Sequence, residues 1–310
     1  MFACVATNAL AQAYPTRPIR LISPYTPGGG NDTLARAIAP KLGESLGQQV
    51  VVENRPGANT IIGSDLVAKS PPDGYTLVLV PSSHAINTSL YPKLPYDAIK
   101  DFAPITLIGS GPLIVVTHPS LPANGIKDLI ALARARPGQL TYGSAGNGGS
   151  GHLAGAMFCT MTGVKMVHIP YKGTGPAVVD LMGGQISLMF ATTLTVLPQV
   201  KAGKLKAIAW ASAQRSSVMP ELPTVDEAGV RGFNASLWYG ILAPAGTPRD
   251  IVARLSTEIG RVLQLAEVRE RLTTLGVDPR GSTPAEFAQL IVSDTERWAK
   301  VVKESGARID

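Results

Sequence analysis

Hydrophobic positions along the chain alternate between two spacings, that of short buried strands and that of amphipathic helices. The apolar run at 19–23 predicts a strand, and the segment after it predicts a helix. That helix is indicated by apolar side chains at helical spacing: Leu34, Ile38, Leu42 and Leu46. Asn31 and Asp32 suit its N-cap, whereas Pro40 predicts a kink or an early end because proline has no amide hydrogen to donate.

The same alternation continues to the end of the chain. Further strands are predicted at 49–53, 75–80, 102–108, 113–117, 140–142, 166–169, 186–190, 205–211 and 237–243. Further helices are predicted at 61–68, 126–136, the segment after 151, 174–182, 249–265, 267–275 and 284–304. Strands that alternate with helices favour an α/β fold of largely parallel sheets flanked by helices.

Two units are expected, because the chain changes character near residues 109–112 and the strand at 237–243 leads back to the first unit. We predict a first lobe of residues 14–112 with 235–310 and a second lobe of residues 113–234. Residues 1–13 end in Ala11-Gln12-Ala13, a small-x-small cleavage pattern, and predict the residual part of a secretory signal.

Two glycine-rich loops each stand between a predicted strand and a predicted helix. The first glycine loop spans 24–30 (PYTPGGG) and the second spans 143–151 (GSAGNGGSG). Glycine permits close approach to the main chain, and a helix start offers unpaired amide groups with a partial positive charge. This geometry suits an anion such as a carboxylate. A tight turn without a ligand is the simpler interpretation of either loop.

Composition narrows the class of protein. The chain has 310 residues, of which 45% are hydrophobic and 16% charged, so it is long enough for two domains with cores. No apolar run reaches the roughly 18 residues of a membrane span. Its two cysteines, Cys4 and Cys159, cannot form a disulfide framework, and Cys159 is expected in the core.

The net charge of +6 is unevenly distributed. Between residues 129 and 220 the one acidic side chain is Asp180, against eight basic ones: Arg134, Arg136, Lys165, Lys172, Lys201, Lys204, Lys206 and Arg215. Such a lobe attracts anions, although a solvated basic surface explains the pattern equally well. No basic cluster with interleaved aromatic residues is present, which argues against a nucleic-acid partner.

Motifs for cofactor or metal chemistry are incomplete. Residues 146–151 (GNGGSG) match the dinucleotide fingerprint, but no acidic residue lies between this motif and Asp180, so no cofactor is predicted. The four histidines, at 84, 118, 152 and 168, show no ligand spacing for a metal. A serine hydrolase that uses Ser144 or Ser150 with His152 remains the alternative, although neither serine lies in a Gly-x-Ser-x-Gly turn.

Several segments together resemble one known family, the Bug-type (TctC-like) receptors of tripartite tricarboxylate transporters. The segments are 14–20 (YPTRPIR), 27–30 (PGGG) with Asp32, 51–58 (VVENRPGA), 72–76 (PDGYT), 90–97 (LYPKLPYD), 152–155 (HLAG), 167–173 (VHIPYKG), 222–225 (LPTV) and 243–248 (APAGTP). The similarity extends from about residue 14 to the C-terminus.

The resemblance implies an exported, monomeric protein of the periplasm with a two-lobed periplasmic-binding-protein fold (type II-like) and a ligand cleft between the lobes. It implies a receptor and not an enzyme, one that delivers a small carboxylate to a membrane permease with a large and a small subunit. The ligand-binding residues implied in the first lobe are Pro27, Gly28, Gly29, Asp32, Ser82 and Ser83. Those implied in the second lobe are Ser144, Ala145, Gly146, Asn147, Ser150 and His152.

Aromatic and hydroxyl side chains complete the expected site. Tyr25, Tyr171 and Trp238 are the aromatic candidates for contact with the ligand, and Thr192 is a further candidate. Many relatives have an aspartate where this chain has Ala191, followed by Thr192. This departure favours a ligand without a cationic group, such as a di- or tricarboxylate or an aromatic acid. A receptor that serves a sensor kinase instead of a permease is a weaker alternative.

Overall fold

The computed structural model describes residues 14–28, 30–171 and 173–305. The predicted signal segment 1–13, Gly29 and Lys172 lie outside these ranges. The described strands are β1 (Ile19–Ser23), β2 (Val50–Asn54), β3 (Thr76–Pro81), β4 (Phe102–Gly111), β5 (Leu113–Thr117), β6 (Thr141–Ser144), β7 (Val167–Pro170), β8 (Leu188–Thr192), β9 (Lys206–Trp210), β10 (Leu237–Pro244) and β11 (Asp278–Pro279).

Ten α-helices accompany these strands in the described part of the chain. They are α1 (Gly30–Leu46), α2 (Ile61–Ala68), α3 (Ser83–Leu90), α4 (Ile126–Ala135), α5 (Ser150–Thr162), α6 (Thr174–Met182), α7 (Thr193–Lys201), α8 (Arg249–Gln264), α9 (Ala266–Thr274) and α10 (Pro284–Ser305). A short 3-10 turn, Ala58–Thr60, precedes α2.

The strands form two mixed sheets with the same plan. The first sheet has the order β11-β4-β10-β3-β1-β2, and the second has the order β7-β6-β8-β5-β9. In the first sheet β1 to β4 run in one direction, and β10 and β11 run against them. In the second sheet β6 to β9 share a direction, and β5 opposes them. The predicted α/β fold with a mostly parallel sheet in each half is confirmed.

The chain crosses between the sheets at two neighbouring places. Pro112 separates β4 of the first sheet from β5 of the second, and Leu237 begins β10, which returns to the first sheet. Leu237 pairs with Gly111, so the two crossings lie side by side. In the first sheet, β3 and β1 separate the crossing strands β4 and β10 from the edge strand β2. In the second sheet, β8 and β6 separate the crossing strand β5 from the edge strand β7.

The helix α10 joins the cores of the two halves. Near its start, Phe287 and Ile291 pack in a buried cluster with side chains of the first sheet. Near its end, Trp298 and Val302 pack in a cluster with residues of the second half, including Phe158. This single helix therefore covers apolar surface on both sides of the crossings.

The structure departs from the sequence prediction in several elements. Helices α3 and α7 were not predicted, because neither segment has a clear apolar period and α7 contains Pro198. The predicted early end at Pro40 is wrong, since α1 continues to Leu46 with Pro40 on an exposed position. Helix α1 also begins at Gly30, so Asn31 and Asp32 lie in its first turn and not at its N-cap.

Candidate functional site

Six helices begin at the carboxyl ends of parallel strands. In the first sheet β1, β2 and β3 lead to α1, α2 and α3, and in the second sheet β6, β7 and β8 lead to α5, α6 and α7. Ligands of open α/β sheets bind outside the carboxyl ends of the strands. Each half therefore presents three helix starts, with their amide groups and partial positive charge, at one edge.

These two edges face each other across the boundary between the halves. A Cβ atom at Gly30, the first residue of α1, would lie 2.6 Å from Leu194 Cδ2 in the first turn of α7. A Cβ atom at Gly276 would lie 2.8 Å from Thr193 Cβ. Gly276 also has a positive φ of 73°, so glycine is favoured there, whereas a larger residue at Gly30 would have to displace the end of the Leu194 side chain. The start of α1 and the start of α7 thus meet, with a narrow recess between them that Thr192 and Tyr239 also line.

The first glycine loop is held in shape by Asp32. Its carboxylate accepts the amide N–H of Gly28 at 2.8 Å, the side-chain amide of Asn54 at 2.8 Å and the guanidinium of Arg36 at 3.0 Å. Burial opposes the ionisation of Asp32, but these hydrogen bonds outweigh it and keep the pKa of the carboxyl below its usual value. Pro27 and Gly28 are exposed, and Gly28 adopts a positive φ of 78°.

The Ser82-Ser83 turn connects the first sheet to α3. Ser82 is fully buried: its N–H donates to Trp238 O at 3.0 Å, and its Oγ accepts the N–H of Trp238 at 2.9 Å. Ser83 Oγ lies 3.5 Å from the hydroxyl of Tyr25. Ser82 therefore anchors the turn, while Ser83 and Tyr25 place two hydroxyl groups at the carboxyl edge of the sheet.

The segment between β2 and α2 is a strained turn, and its strain was not predicted from the sequence. Ala58, Asn59 and Thr60 have φ values of 45°, 48° and 82°, which are uncommon for residues other than glycine. Asn59 and Asn87 hold the turn, since the side-chain amide of Asn59 donates to Asn87 Oδ1 and that of Asn87 donates to Asn59 O, both at 2.7 Å. Asparagine tolerates the left-handed region, and this preference was the one available signal.

The second glycine loop is organised around Ser144. This buried residue donates from Oγ to Gly146 O at 2.8 Å, and its Oγ lies 2.7 Å from His168 Nε2. The Ser144 hydroxyl therefore connects the carbonyl of Gly146 with the ring of His168. Gly146 has a φ of 142°, which favours glycine.

Two histidines stack beneath this loop. The rings of His152 and His168 lie 3.9 Å apart at an angle of 15°. The amide N–H of Gly148 donates to His152 Nδ1 at 3.0 Å, which requires that this nitrogen carry no proton. Burial lowers the pKa of His152, and burial together with the neighbouring His152 lowers the pKa of His168 to about 4. Both rings are therefore neutral at pH 7.

The remaining second-half candidates lie along the same edge. Ala145 and Asn147 are exposed, and Ser150 begins α5. Tyr171 donates its hydroxyl to Asp180 Oδ2 at 2.7 Å, and burial with this carboxylate raises the pKa of Tyr171 to about 12. Thr192 is the N-cap of α7, with its Oγ1 at 3.0 Å from Thr195 Oγ1. Contact of any of these residues with a ligand stays a prediction.

The geometry gives no support to the hydrolase alternative. Ser144 is 1% exposed, and its histidine neighbour is His168 and not His152. Nδ1 of His152 accepts the Gly148 amide, so the predicted pair of Ser144 with His152 is not formed. Among residues 14–28, 30–171 and 173–305, no group of three or more histidine, cysteine or acidic side chains could hold a metal ion.

Acidification is expected to destabilise the fold through the histidine pair. In the unfolded chain His168 titrates near 6.5, so stability is fully present above that pH and is lost as pH falls towards 4. Between pH 6.5 and 4.5 we expect a loss of about 2 kcal/mol from His168, measurable as a falling melting temperature. His168→Gln, which keeps an N–H donor for Ser144, should reduce this fall, whereas His118→Gln should not. An equal fall in all three proteins would contradict the assignment.

A second, larger groove of about 430 Å³ lies away from the facing loops, between the end of α1 and the outer edge of β2. Pro40, Gly43, Gln49 and Val51 are among its lining residues. None of the candidate residues named above lines it. The facing helix starts, and not this groove, therefore form the candidate site.

Comparison with known proteins gives consistent matches to one family. A family model described as the tripartite tricarboxylate transporter family receptor matches residues 34–307. Protein BugT of Bordetella pertussis is 41% identical over 307 residues, which cover 98% of this chain and 94% of BugT. The solved structure of R. palustris Rpa4515 with adipate has a TM-score of 0.86 and 36% identity, and the match covers 96% of this chain and 100% of that chain. MatC from Rhodopseudomonas palustris with bound malate has a TM-score of 0.81 and 33% identity, covering 93% and 100%.

Proposed function

Because the chain belongs to the receptor family of the tripartite tricarboxylate transporters, we propose that it captures a small carboxylate between its lobes and delivers it, unaltered, to a membrane permease with a large and a small subunit. Members of this family are periplasmic solute-binding receptors. Within the part of the chain that the structure describes, no helix has both the length and the apolar character needed to cross a membrane. We place the protein in the periplasm as a monomer, with lobes of residues 14–112 plus 235–310 and 113–234.

The observation that carries this proposal is the meeting of helix starts from both halves at Gly30 and Leu194. Amide groups at such starts bind a carboxylate without a counter-charge. About four charge-assisted hydrogen bonds at roughly 1.5–3 kcal/mol each give roughly 6–12 kcal/mol gross. Micromolar affinity needs about 8 kcal/mol net of the cost of association. Contacts between the ligand and side chains such as Tyr25 must therefore also contribute to the binding free energy.

The site favours a ligand without a cationic group, because its carboxylates already accept hydrogen bonds from the protein. Asp32 is occupied by Gly28, Arg36 and Asn54, and Asp180 accepts the hydroxyl of Tyr171. Ala191, at the end of β8, is buried and offers no acceptor to an ammonium group. Two solved family members, the adipate-bound Rpa4515 and the malate-bound MatC, hold dicarboxylates. We infer a di- or tricarboxylate or an aromatic acid as the ligand class.

A thermal-shift panel tests this function, with aliphatic dicarboxylates, citrate, benzoate, aspartate and glutamate as probes. A ligand at a hundred times its dissociation constant stabilises the folded state by about 2.7 kcal/mol, which raises the melting temperature by about 5 °C for a chain of this size. We expect such a rise with at least one acid that has no amino group. A larger rise with aspartate or glutamate would refute the ligand class. No rise with any acid would refute carboxylate capture.

The fate of the bound ligand tests whether the protein is a receptor without catalytic activity. After incubation and denaturation, mass spectrometry should recover the same acid in stoichiometric amount. Uptake of labelled ligand into vesicles that contain the permease should depend on added receptor. Conversion of the ligand, or uptake that is independent of the receptor, would contradict the proposal.

A further inference from the structure

Tyr239 occupies a place between the two halves that the sequence did not single out. It lies on β10, opposite Pro81 of β3 and Gly109 of β4. Side chains alternate between the faces of a strand. Trp238 is buried on one face, where its indole N–H donates to Asp294 Oδ2 at 2.8 Å. The phenol of Tyr239 therefore lies on the other face.

That face opens on the recess where the helix starts meet. Gly30 of α1, Thr192 and Leu194 of α7, and Tyr239 line this recess together. A Cβ atom at Gly111, the last residue of β4, would lie 2.6 Å from Cε2 of the Tyr239 ring. The ring thus covers the crossing from β4 to β5 and stands beside the starts of α1 and α7.

The hydroxyl of Tyr239 is an unused donor. Tyr239 is partly exposed, and its Oη has no hydrogen-bond partner among the described residues. Burial, and the nearby phenol of Tyr25, raise the pKa of Tyr239 above its usual value. Burial likewise raises the pKa of Tyr25, whose hydroxyl lies 3.5 Å from Ser83 Oγ. Both phenols are therefore neutral O–H donors at pH 7.

We propose that Tyr239 contacts the ligand: its hydroxyl, together with that of Tyr25, donates hydrogen bonds to the carboxylate group that lies deepest between the lobes. This inference rests on the proposed function. Neutral donors suit an anion already held by helix starts, because they satisfy its remaining lone pairs. Since β10 begins at one crossing and the ring covers the other, the same contact joins the ligand to the segment that connects the two halves.

The test is calorimetric titration of the full chain with the acid that gives the largest thermal shift. Tyr239→Phe removes one oxygen and keeps the ring over Gly111, so the melting temperature without ligand should stay within about 2 °C. Loss of a hydrogen bond to a charged group should raise the dissociation constant about tenfold or more. Tyr25→Phe should act in the same direction.

Tyr91→Phe is the matched control. Tyr91 is also partly exposed, and its hydroxyl has no partner among the described residues, but it lies at the far end of α3 from the facing edges. Its loss should leave affinity unchanged. Equal affinity of Tyr239→Phe and the wild-type protein, or an equal loss in Tyr91→Phe, would overturn the inference about Tyr239. Absence of binding by the wild-type protein would instead refute the proposed function.

Discussion

Replacing Asp32 with alanine is expected to weaken carboxylate binding by at least tenfold and to lower the melting temperature. The carboxylate of Asp32 is 4% exposed and accepts hydrogen bonds from the Gly28 amide, Asn54 and Arg36. Without it, the Gly28 amide, Asn54 and Arg36 each lose a hydrogen bond, and the first glycine loop loses its connection to α1. Such a loss costs about 3 kcal/mol in the free energy of unfolding. Calorimetric titration and thermal melting measure the two effects.

An opposing effect makes this prediction informative. Asp32 is an anion near a site proposed for an anion, so its removal also relieves repulsion and frees Arg36. If charge mattered more than loop geometry, Asp32→Ala would bind carboxylates more tightly, and this outcome would contradict our account. Asp73→Ala is the control, since Asp73 forms an exposed ion pair with Arg17. Exposed pairs of this kind contribute about 0–1 kcal/mol, so its effect should be small.

Replacing Asp294 with alanine is expected to cost about 3–5 kcal/mol in the free energy of unfolding. Asp294 is 4% exposed and accepts the indole N–H groups of Trp238 at 2.8 Å and Trp298 at 3.1 Å, as well as the guanidinium of Arg297. Truncation leaves two buried indole donors without this acceptor and removes the carboxylate partner of Arg297, which keeps its hydrogen bond to Asn234 O. The melting temperature should fall by about 10 °C.

The control for this variant lies on the same helix. Glu296→Ala removes an exposed carboxylate of α10 and should change the melting temperature by less than about 2 °C. Because Asp294 lies behind the first sheet, we expect the folded Asp294→Ala protein to keep its affinity for ligand. A melting temperature equal to that of the wild-type protein would show that the indole groups find other partners.

The strand and helix pattern was largely predictable from the sequence, since most elements have a clear apolar period. The strand at 113–117 and the helix at 61–68 were predicted with their observed bounds. Helices α3 and α7 were not predicted. Helix α3 is rich in serine, threonine and asparagine, which are poor formers of helix interiors, and α7 contains Pro198. These two helices begin at the carboxyl ends of β3 and β8. Their formation depends on tertiary structure, and no local sequence signal indicates it.

The candidate site was predictable in part. The sequence located both glycine loops, but it did not show which side chains hold the loops in shape by hydrogen bonds. Asp32 and Ser144 are each surrounded by hydrogen-bond partners from residues far apart in sequence, such as Asn54 and His168. Trp238 was chosen as an aromatic candidate, yet the structure buries it against Asp294 and turns Tyr239 towards the recess. The face of a strand depends on register, which these residues alone did not determine.

A crystal structure of the protein with the dicarboxylate that stabilises it most would test the central claim directly. We predict that the ligand lies between the two halves, with one carboxylate group within hydrogen-bond distance of the starts of α1 and α7. A ligand bound instead in the groove beside Pro40 and Val51, with the facing helix starts unoccupied, would contradict the account.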